Sequence, residues 1–266
     1  MIKLMVSDLD GTLLDSRHRL DPLFFDLYEK LKSKGITFAI ATGRQYLNTL
    51  SFFETLPCIP LITENGAYLK YHNEDLVLEY IPKKLVEKTI NLCKDIPDTA
   101  VFLCRKEGAF ISRKQLTPKI EEINKAYNVV CTVVDELTFS SMDFYKITVG
   151  DTIDARANSY PLIKKALGNE LMIFASGATF IDMTNKGVTK GTAIEALQKH
   201  LNISKEETAV FGDNDNDVPM TDYADFSYAM ATSSPGMVKA CKYRALSNDE
   251  GGVLRIMEKV LEGEIG

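Results

Sequence analysis

Ile2-Lys3-Leu4-Met5-Val6-Ser7-Asp8-Leu9-Asp10-Gly11-Thr12 passes from an apolar run to two carboxylates within a few residues. Ile2, Leu4, Met5 and Val6 read as a buried strand, and a buried strand that ends in two acids needs a reason. Side chains two apart on an extended chain point to the same side, so Asp8 and Asp10 are expected to share one small space. Two carboxylates held together raise one another's pKa unless a cation sits between them. The pair asks for a metal ion, a proton-shuttling couple, or both.

Outward from this stretch, Asp21-Pro22 marks a helix start, with Asp at the N-cap and Pro at the first helical position. Leu23, Leu27 and Leu31 recur at helical spacing until Gly35 stops the helix. Ile36 to Ala41 is a second apolar strand, which completes a strand–helix–strand unit of the parallel crossover type. Pro60 to Thr63 is a third strand, leading into Glu64-Asn65-Gly66-Ala67, where Asn-Gly signals a hairpin turn.

Near Pro82 the pattern changes. A helix over Lys83–Lys94 precedes strands Ala100–Arg105 and Ala109–Ser112. A helix at Thr117–Tyr127, strands Val129–Val134 and Phe144–Val149, and a helix at Ile153–Leu167 follow. Strands Leu171–Ala175 and Thr179–Met183 close the series, whose order has mostly antiparallel character. From Lys190 strand and helix alternate again: an apolar helix face (Ala193, Ile194, Leu197), a capping box at Ser204-x-x-Glu207, strand Thr208–Phe211, short strands Phe226–Ala229 and Tyr243–Leu246, and a terminal helix. The expected architecture is an α/β parallel-sheet core, residues 1–82 and 186–266, interrupted by an α+β module at 83–185.

Apolar content of 45% and a charged fraction of 26% are those of an ordinary globular chain long enough to bury a core without staples. The net charge of −6 argues against nucleic acid, which calls for a clustered basic excess. The five cysteines, Cys58, Cys93, Cys104, Cys131 and Cys241, contain no Cys-x-x-Cys pair, which excludes the usual zinc spacings and gives no disulfide framework. They read as small buried hydrophobes in a reducing cytoplasm. The N-terminus turns acidic too soon for a signal peptide, and no run reaches the ~18–20 apolar residues of a membrane span.

Four clusters fall where strand runs end, the place where open α/β sheets bind ligands. Asp8 and Asp10 are the first. Thr42-Gly43-Arg44 offers a hydroxyl and backbone N–H groups to a phosphate. Lys190 opens a helix, where a structural cation would oppose the dipole and an anion-facing ammonium would not. Gly212-Asp213-Asn214-Asp215-Asn216-Asp217 supplies three acids and two amides, oxygen ligands suited to Mg²⁺; Ala224 stands where an EF-hand needs its twelfth-position Glu.

In this order, Asp8-Leu9-Asp10-Gly11-Thr12, Thr42-Gly43-Arg44, Lys190-Gly191 and Gly212-Asp213-x-x-Asn216-Asp217 resemble the four motifs of the haloacid dehalogenase superfamily of phosphohydrolases. The module between the second and third motifs resembles its larger C2 cap, and Glu64-Asn65-Gly66-Ala67 resembles a recurrent feature of the Cof-type subfamily. The resemblance implies a Rossmann-like core and a Mg²⁺-dependent phosphatase. Asp8 would be the nucleophile, giving an aspartyl-phosphate, and Asp10 the acid–base. Asp8, Asp213 and the Asp10 carbonyl would hold Mg²⁺, with Asp217 acting directly or through water. Thr42, Lys190, Asn216 and the Leu9 and Gly43 N–H groups would cradle phosphate. The substrate it implies is a small phosphorylated metabolite, a sugar phosphate first, then pyridoxal phosphate or flavin mononucleotide.

The resemblance also implies that the cap selects the leaving group and opens and closes about crossings near Pro82 and Asn185. A phosphomutase with a second phosphate site in the cap is the nearest alternative. Arg105, Lys106, Arg113 and Lys146 are its candidate ligands, although such cations are more often solvated or salt-bridged. A non-catalytic phosphometabolite-binding protein is another, against which the intact Asp8 and Asp10 speak. Phe102, Phe110, Tyr127, Phe144 and Tyr145 are expected in the core by their spacing. Asp182 and Asn185 are expected to touch substrate or to shape the hinge.

Overall fold

A computed structural model describes residues 1–137 and 142–266. In chain order its elements are β1 (Leu4–Ser7), α1 (Leu23–Ser33), β2 (Thr37–Ala41), α2 (Tyr46–Leu50), β3 (Leu61–Thr63), β4 (Tyr68–Tyr71), β5 (Glu74–Leu78), α3 (Lys83–Cys93), β6 (Thr99–Arg105), β7 (Gly108–Ser112) and α4 (Pro118–Ala126). There follow β8 (Cys131–Val134), β9 (Lys146–Asp151), α5 (Ser159–Leu167), β10 (Leu171–Ser176), β11 (Phe180–Asn185), α6 (Lys190–Leu201), β12 (Thr208–Gly212), β13 (Phe226–Ala229), α7 (Pro235–Ala240), β14 (Tyr243–Arg244) and α8 (Gly252–Glu262). They form two compact units. The first comprises Met1–Thr42, Phe52–Val77 and Thr189–Gly266; the second, Gly43–Ser51 and Leu78–Val188.

The first unit is built on an eight-stranded sheet in the order β14-β13-β12-β1-β2-β3-β4-β5. Strands β1, β2, β3, β12, β13 and β14 pair in parallel, and β4 returns antiparallel to β3 with Thr63 opposite Tyr68. β1 lies between β2 and β12, so chain order reverses there, the switch point at which such sheets open a crevice. Both faces are covered, which is why these strands are apolar throughout. Val6, Ala39, Ala41 and Val210 pack with Ala193, Ile194 and Leu197 of α6. Phe38, pointing the other way along β2, meets Phe24 of α1 with ring centroids 5.2 Å apart.

The second unit carries a six-stranded sheet, β10-β11-β9-β6-β7-β8, antiparallel except for the parallel pair β7–β8. One face, with Val101, Leu103, Ile147, Val149, Ile181 and Met183, packs against Val86 and Ile90 of α3 and Ile163 and Leu167 of α5. Alternation along β9 and β11 puts Lys146, Thr148 and Asp182 on the opposite face, where all three are nonetheless buried. The chain is therefore an α/β parallel-sheet core with a mixed α+β unit inserted in its sequence.

Several boundaries differ from the sequence expectation. The helix expected from Ile153 begins at Ser159. Asp154 accepts hydrogen bonds from Arg156 N and Ala157 N and holds residues 154–157 in a turn, while Asp151 Oδ2 accepts from Ser159 N at the true start. The strand expected at Phe144–Val149 runs over Lys146–Asp151, and that at Val129–Val134 starts at Cys131. Strands β4 and β5, absent from the sequence reading, complete the hairpin that Asn65-Gly66 announces. Asp21 still caps α1, its Oδ1 accepting from Leu23 N, with the helix beginning one residue later than expected. All five cysteines are free, but Cys58 and Cys131 are half-buried rather than in the core. Of the five aromatics expected inside, Phe102, Phe144 and Tyr145 are buried, Phe110 is half-buried, and Tyr127 is exposed, its ring edge-on to Phe180 at 5.1 Å.

Candidate active site

Asp8 follows β1, Thr42 follows β2, Asp213 follows β12, and Lys190 opens α6, so the expected clusters of the first unit all lie at carboxyl ends of parallel strands or at the helix leading back to them. Backbone bonds fix the first two: Asp8 N donates to Phe211 O and Thr42 N to Ile62 O. Helix α6 is held at its first turn by a reciprocal cap. Thr192 N donates to Thr189 Oγ1 at 3.1 Å and Thr189 N to Thr192 Oγ1 at 3.0 Å. A side chain at Gly191 would place its Cβ 2.1 Å from Pro219 O, so only glycine lets α6 approach the turn after Asp217 this closely.

That approach sets the centre of the site. Lys190 Nζ, 1 % exposed, donates to Asp8 Oδ1 at 2.7 Å and to Asp217 Oδ1 at 2.6 Å. Asp217 is fully buried, and its Oδ2 accepts from the backbone N–H groups of Asp213 and Asn214, both at 3.0 Å. Thr12 Oγ1 donates to Asp213 Oδ1 at 3.4 Å. Asp8, Asp213 and Asp217 each bring a carboxylate oxygen within 4.8 Å of the others.

Three carboxylates face one ammonium. Burial, followed by the charges of Asp217, Asp213 and Asp10, pushes the Asp8 carboxyl well above its ordinary value against the pull of Lys190. Burial and then Asp217 push Asp213 up to about 7. Burial alone would lower Lys190, but Asp217 and Asp8 outweigh it and hold the ammonium above its ordinary range. The donor set is hard, anionic and short of positive charge, which fits a divalent cation of the Mg²⁺ kind.

The remaining expected residues are distributed as follows. Asp10 is half-buried, and its Oδ1 lies 2.9 Å from His18 Nδ1. His18 stands in the left-handed region at φ +57°. The turn carrying it is tied by Asp15, which accepts from Arg17 N, Arg19 N and the Arg19 guanidinium; the Arg19 hydrogen bond in turn lowers the Asp15 carboxyl. Leu9 is buried, and its carbonyl accepts from Leu13 N and Leu14 N, which folds the motif back on itself. Asn216 Nδ2 donates to Asn65 Oδ1 at 3.0 Å. Gly43 belongs to the second unit, where its carbonyl accepts from Lys146 Nζ at 2.9 Å. Helix α2 begins only at Tyr46 and has five residues, so Thr42 and Gly43 precede a helix rather than open one.

Sequence reading did not single out His18 or Asn65 as partners of the motif residues. Thr12 lies inside the quoted pentapeptide, and its spacing was the available sign. His18 had none, because its contact with Asp10 depends on a turn that Asp15 closes through side-chain bonds.

The profile of the haloacid dehalogenase-like hydrolases matches residues 5–257, and the chain belongs to that family. Along its length it is 29% identical to the 5-amino-6-(5-phospho-D-ribitylamino)uracil phosphatase YbjI of Escherichia coli, over 99% of this chain and 97% of the relative. Its fold is similar to that of SMU.1108c from Streptococcus mutans, with TM-score 0.89, 26% identity and coverage of 98% and 100% of the two chains. It is likewise similar to the sugar phosphatase BT4131 of HAD subclass IIB, with TM-score 0.85, 26% identity and coverage of 99% and 100%. The protein is therefore an enzyme of the phosphatase and phosphotransferase kind. Among the described residues, no helix is long and apolar enough to cross a membrane.

Proposed function

We propose that the protein is a Mg²⁺-dependent phosphatase that hydrolyses the monoester of a small polyhydroxylated metabolite, a sugar phosphate before pyridoxal phosphate or flavin mononucleotide. The observation that carries this reading is the excess of carboxylate, buried Asp8 and Asp217 with half-buried Asp213, around the ammonium of Lys190 among the described residues. Two relatives act on substrates of this kind by name, a phosphoribityl compound and a sugar phosphate.

Asp8, Asp213, Asp217 and the Asp10 carbonyl would hold the ion, which supplies positive charge to the phosphoryl oxygens and to the acids around it. With the acids neutralised, Asp8 is a carboxylate at pH 7 and needs no activating base. Asp8 attacks phosphorus as the ester P–O bond breaks, and Asp10 gives its proton to the departing alkoxide. Water then attacks the aspartyl-phosphate and yields its proton to Asp10, which restores Asp8 and releases phosphate. Lys190 offsets the charge of the Asp8 carboxylate before attack and again as it departs from phosphorus. Thr42, Asn216 and the N–H groups of Leu9 and Gly43 bind the phosphoryl oxygens.

Residues 83–185 are read as the cap that chooses the leaving group, acting in the cytoplasm on a soluble metabolite. Three of the four candidate cap cations of the phosphomutase alternative are paired with carboxylates. Arg105 pairs with Glu107 at 3.5 Å, Arg113 with Asp135 at 3.2 Å, and Lys146 with Asp182 at 3.5 Å. A phosphate-release screen over a metabolite panel with added Mg²⁺, run beside Asp8→Asn, tests the proposal. Mg²⁺-dependent release from sugar phosphates that vanishes in the variant is expected; release that survives it, or needs no divalent ion, overturns the mechanism.

A further inference from the structure

The turn between β3 and β4 is built unlike an ordinary hairpin loop. Glu64, Asn65 and Gly66 take φ values of +55°, +57° and +97°, and all three are buried. Three successive left-handed residues, two of them with side chains, cost roughly 1–2 kcal/mol for each non-glycine. A surface Asn-Gly turn would reverse the chain at lower cost.

The strain coincides with a set of contacts. Asn65 N donates to Thr42 O at 3.0 Å. Asn65 Oδ1 accepts from Asn216 Nδ2 at 3.0 Å. Gly66 lies so close to the start of α6 that an added Cβ would stand 2.1 Å from Thr189 O and 2.9 Å from Lys190 N. One buried turn thus touches the three segments that carry Thr42, Lys190 and Asn216.

We infer that Asn65 is a positioning residue for phosphate binding, acting through Asn216, whose amide it turns and holds. The inference rests on the phosphatase reading for the identity of the ligand. An amide side chain has two donors on one nitrogen and acceptors on its oxygen, and a fixed hydrogen bond to the nitrogen settles which end faces which way. Asn65 supplies that bond from a backbone held at Thr42, so the two phosphate-binding segments share one reference point. The left-handed conformation, which asparagine tolerates better than other side chains, is the cost of bringing backbone and side chain to both at once.

The test uses the full chain with Mg²⁺, inorganic phosphate as the titrated ligand, and steady-state turnover beside it. Asn65→Gly keeps the left-handed backbone and removes the acceptor; Asn65→Asp keeps an acceptor; Asn216→Ala removes the donor from a half-buried loop. The expected result is a tenfold or greater weakening of phosphate binding, with a matching rise in KM and a smaller fall in kcat, in Asn65→Gly and in Asn216→Ala. The double variant should be no worse than either single one, and Asn65→Asp should recover most of the loss.

Losses that multiply in the double variant, or phosphate binding unchanged in Asn65→Gly, overturn the inference. If Asn65→Gly does not fold, Asn216→Asp asks the same question from the half-buried side, and wild-type phosphate affinity in it overturns the inference equally. Failure of the phosphatase reading would look different: no phosphate release from any ester by the wild type. The Asn216 side-chain amide signal in a ¹⁵N spectrum would still report the contact, expected to shift and to lose exchange protection in Asn65→Gly, and unmoved if Asn65 does not hold it.

Discussion

Lys190 in the first unit and Lys146 in the second are both almost wholly buried, at 1 % and 3 % exposure, and both meet carboxylates, yet their surroundings differ in kind. Lys146 Nζ lies 2.9 Å from Gly43 O and 3.5 Å from Asp182 Oδ1, and the oxygens of Asp182 also accept from Thr148 Oγ1 at 2.6 Å and Ser176 Oγ at 2.9 Å. Here an ammonium meets a carboxylate whose oxygens also accept from hydroxyls. Lys190 instead faces Asp8 and Asp217 directly, with Asp213 beside them. A buried pair balanced in charge can be a piece of structure. Acids that outnumber the ammonium beside them call for further positive charge, and that demand separates a candidate ion site from a well-built core.

The largest expected difference follows from the proposed nucleophile. Asp8→Asn should lower phosphate release at least ~10³-fold without lowering the unfolding midpoint of the ion-free protein, since it relieves the surplus. Asp182→Asn, in the Lys146 ion pair, should lose stability while retaining measurable turnover. Equal losses of activity in the two would break the distinction.

Next come the lysines themselves. Lys190→Met strands three acids and should cost ~3–5 kcal/mol in denaturant unfolding, as breaking a buried pair does. Added Mg²⁺ should return part of that. Lys146→Met should also destabilise, by a similar order, but Mg²⁺ should leave its curve where it was. A Mg²⁺ response common to both variants would remove the contrast.

A smaller effect is expected from pH. Asp213 has a folded pKa of about 7, raised above its ordinary value by burial and Asp217, so without an ion it binds more protons folded than unfolded between those limits. Stability from this group is therefore present at low pH and lost as pH rises toward about 7. Thermal midpoints of chelator-treated protein should fall by a few degrees over that window. The stabilisation gained on adding Mg²⁺ should grow across the same window. A Mg²⁺ shift equal at pH 5 and pH 8 would count against the acid cluster as the binding site.

The smallest contrast compares two glycines. Gly66 has φ +97° and a neighbouring carbonyl in the way of any Cβ, whereas Gly177 in the second unit has φ +69° and open space. Gly177→Ala should cost about 1 kcal/mol, the price of the left-handed backbone alone. Gly66→Ala should cost more and should also weaken phosphate binding by displacing the start of α6, a split that thermal melts and phosphate titration resolve.

Much of this was legible in residues near one another in sequence. The apolar run before Asp8, the β-branched strands before Thr42 and Asp213, and the Asn65-Gly66 turn each carry their own local signal, because strand burial and turn chemistry are short-range. Where a side chain redirected the backbone, as Asp154 does ahead of α5, periodicity alone placed the boundary several residues early. The fate of Lys146 was beyond pattern reading, since a lysine on an alternating strand looks the same whether it meets water or Asp182. His18 and Asn65 were hidden for the same reason: their contacts with Asp10 and Asn216 are made only by the folded chain.

The sequence by itself determined most of the order of strands and helices, β4 and β5 aside, and the acid, hydroxyl and lysine types at the strand ends, because local periodicity and residue chemistry do not wait for folding. Only the tertiary structure decided that Asp8, Asp213 and Asp217 converge on Lys190 across positions 8 to 217, and that the turn at 64–66 fastens Thr42 to Asn216. Those contacts exist because the sheet brings β1, β2, β3 and β12 side by side, and charge and hydrogen bonding act over ångströms of space, not over residues of chain.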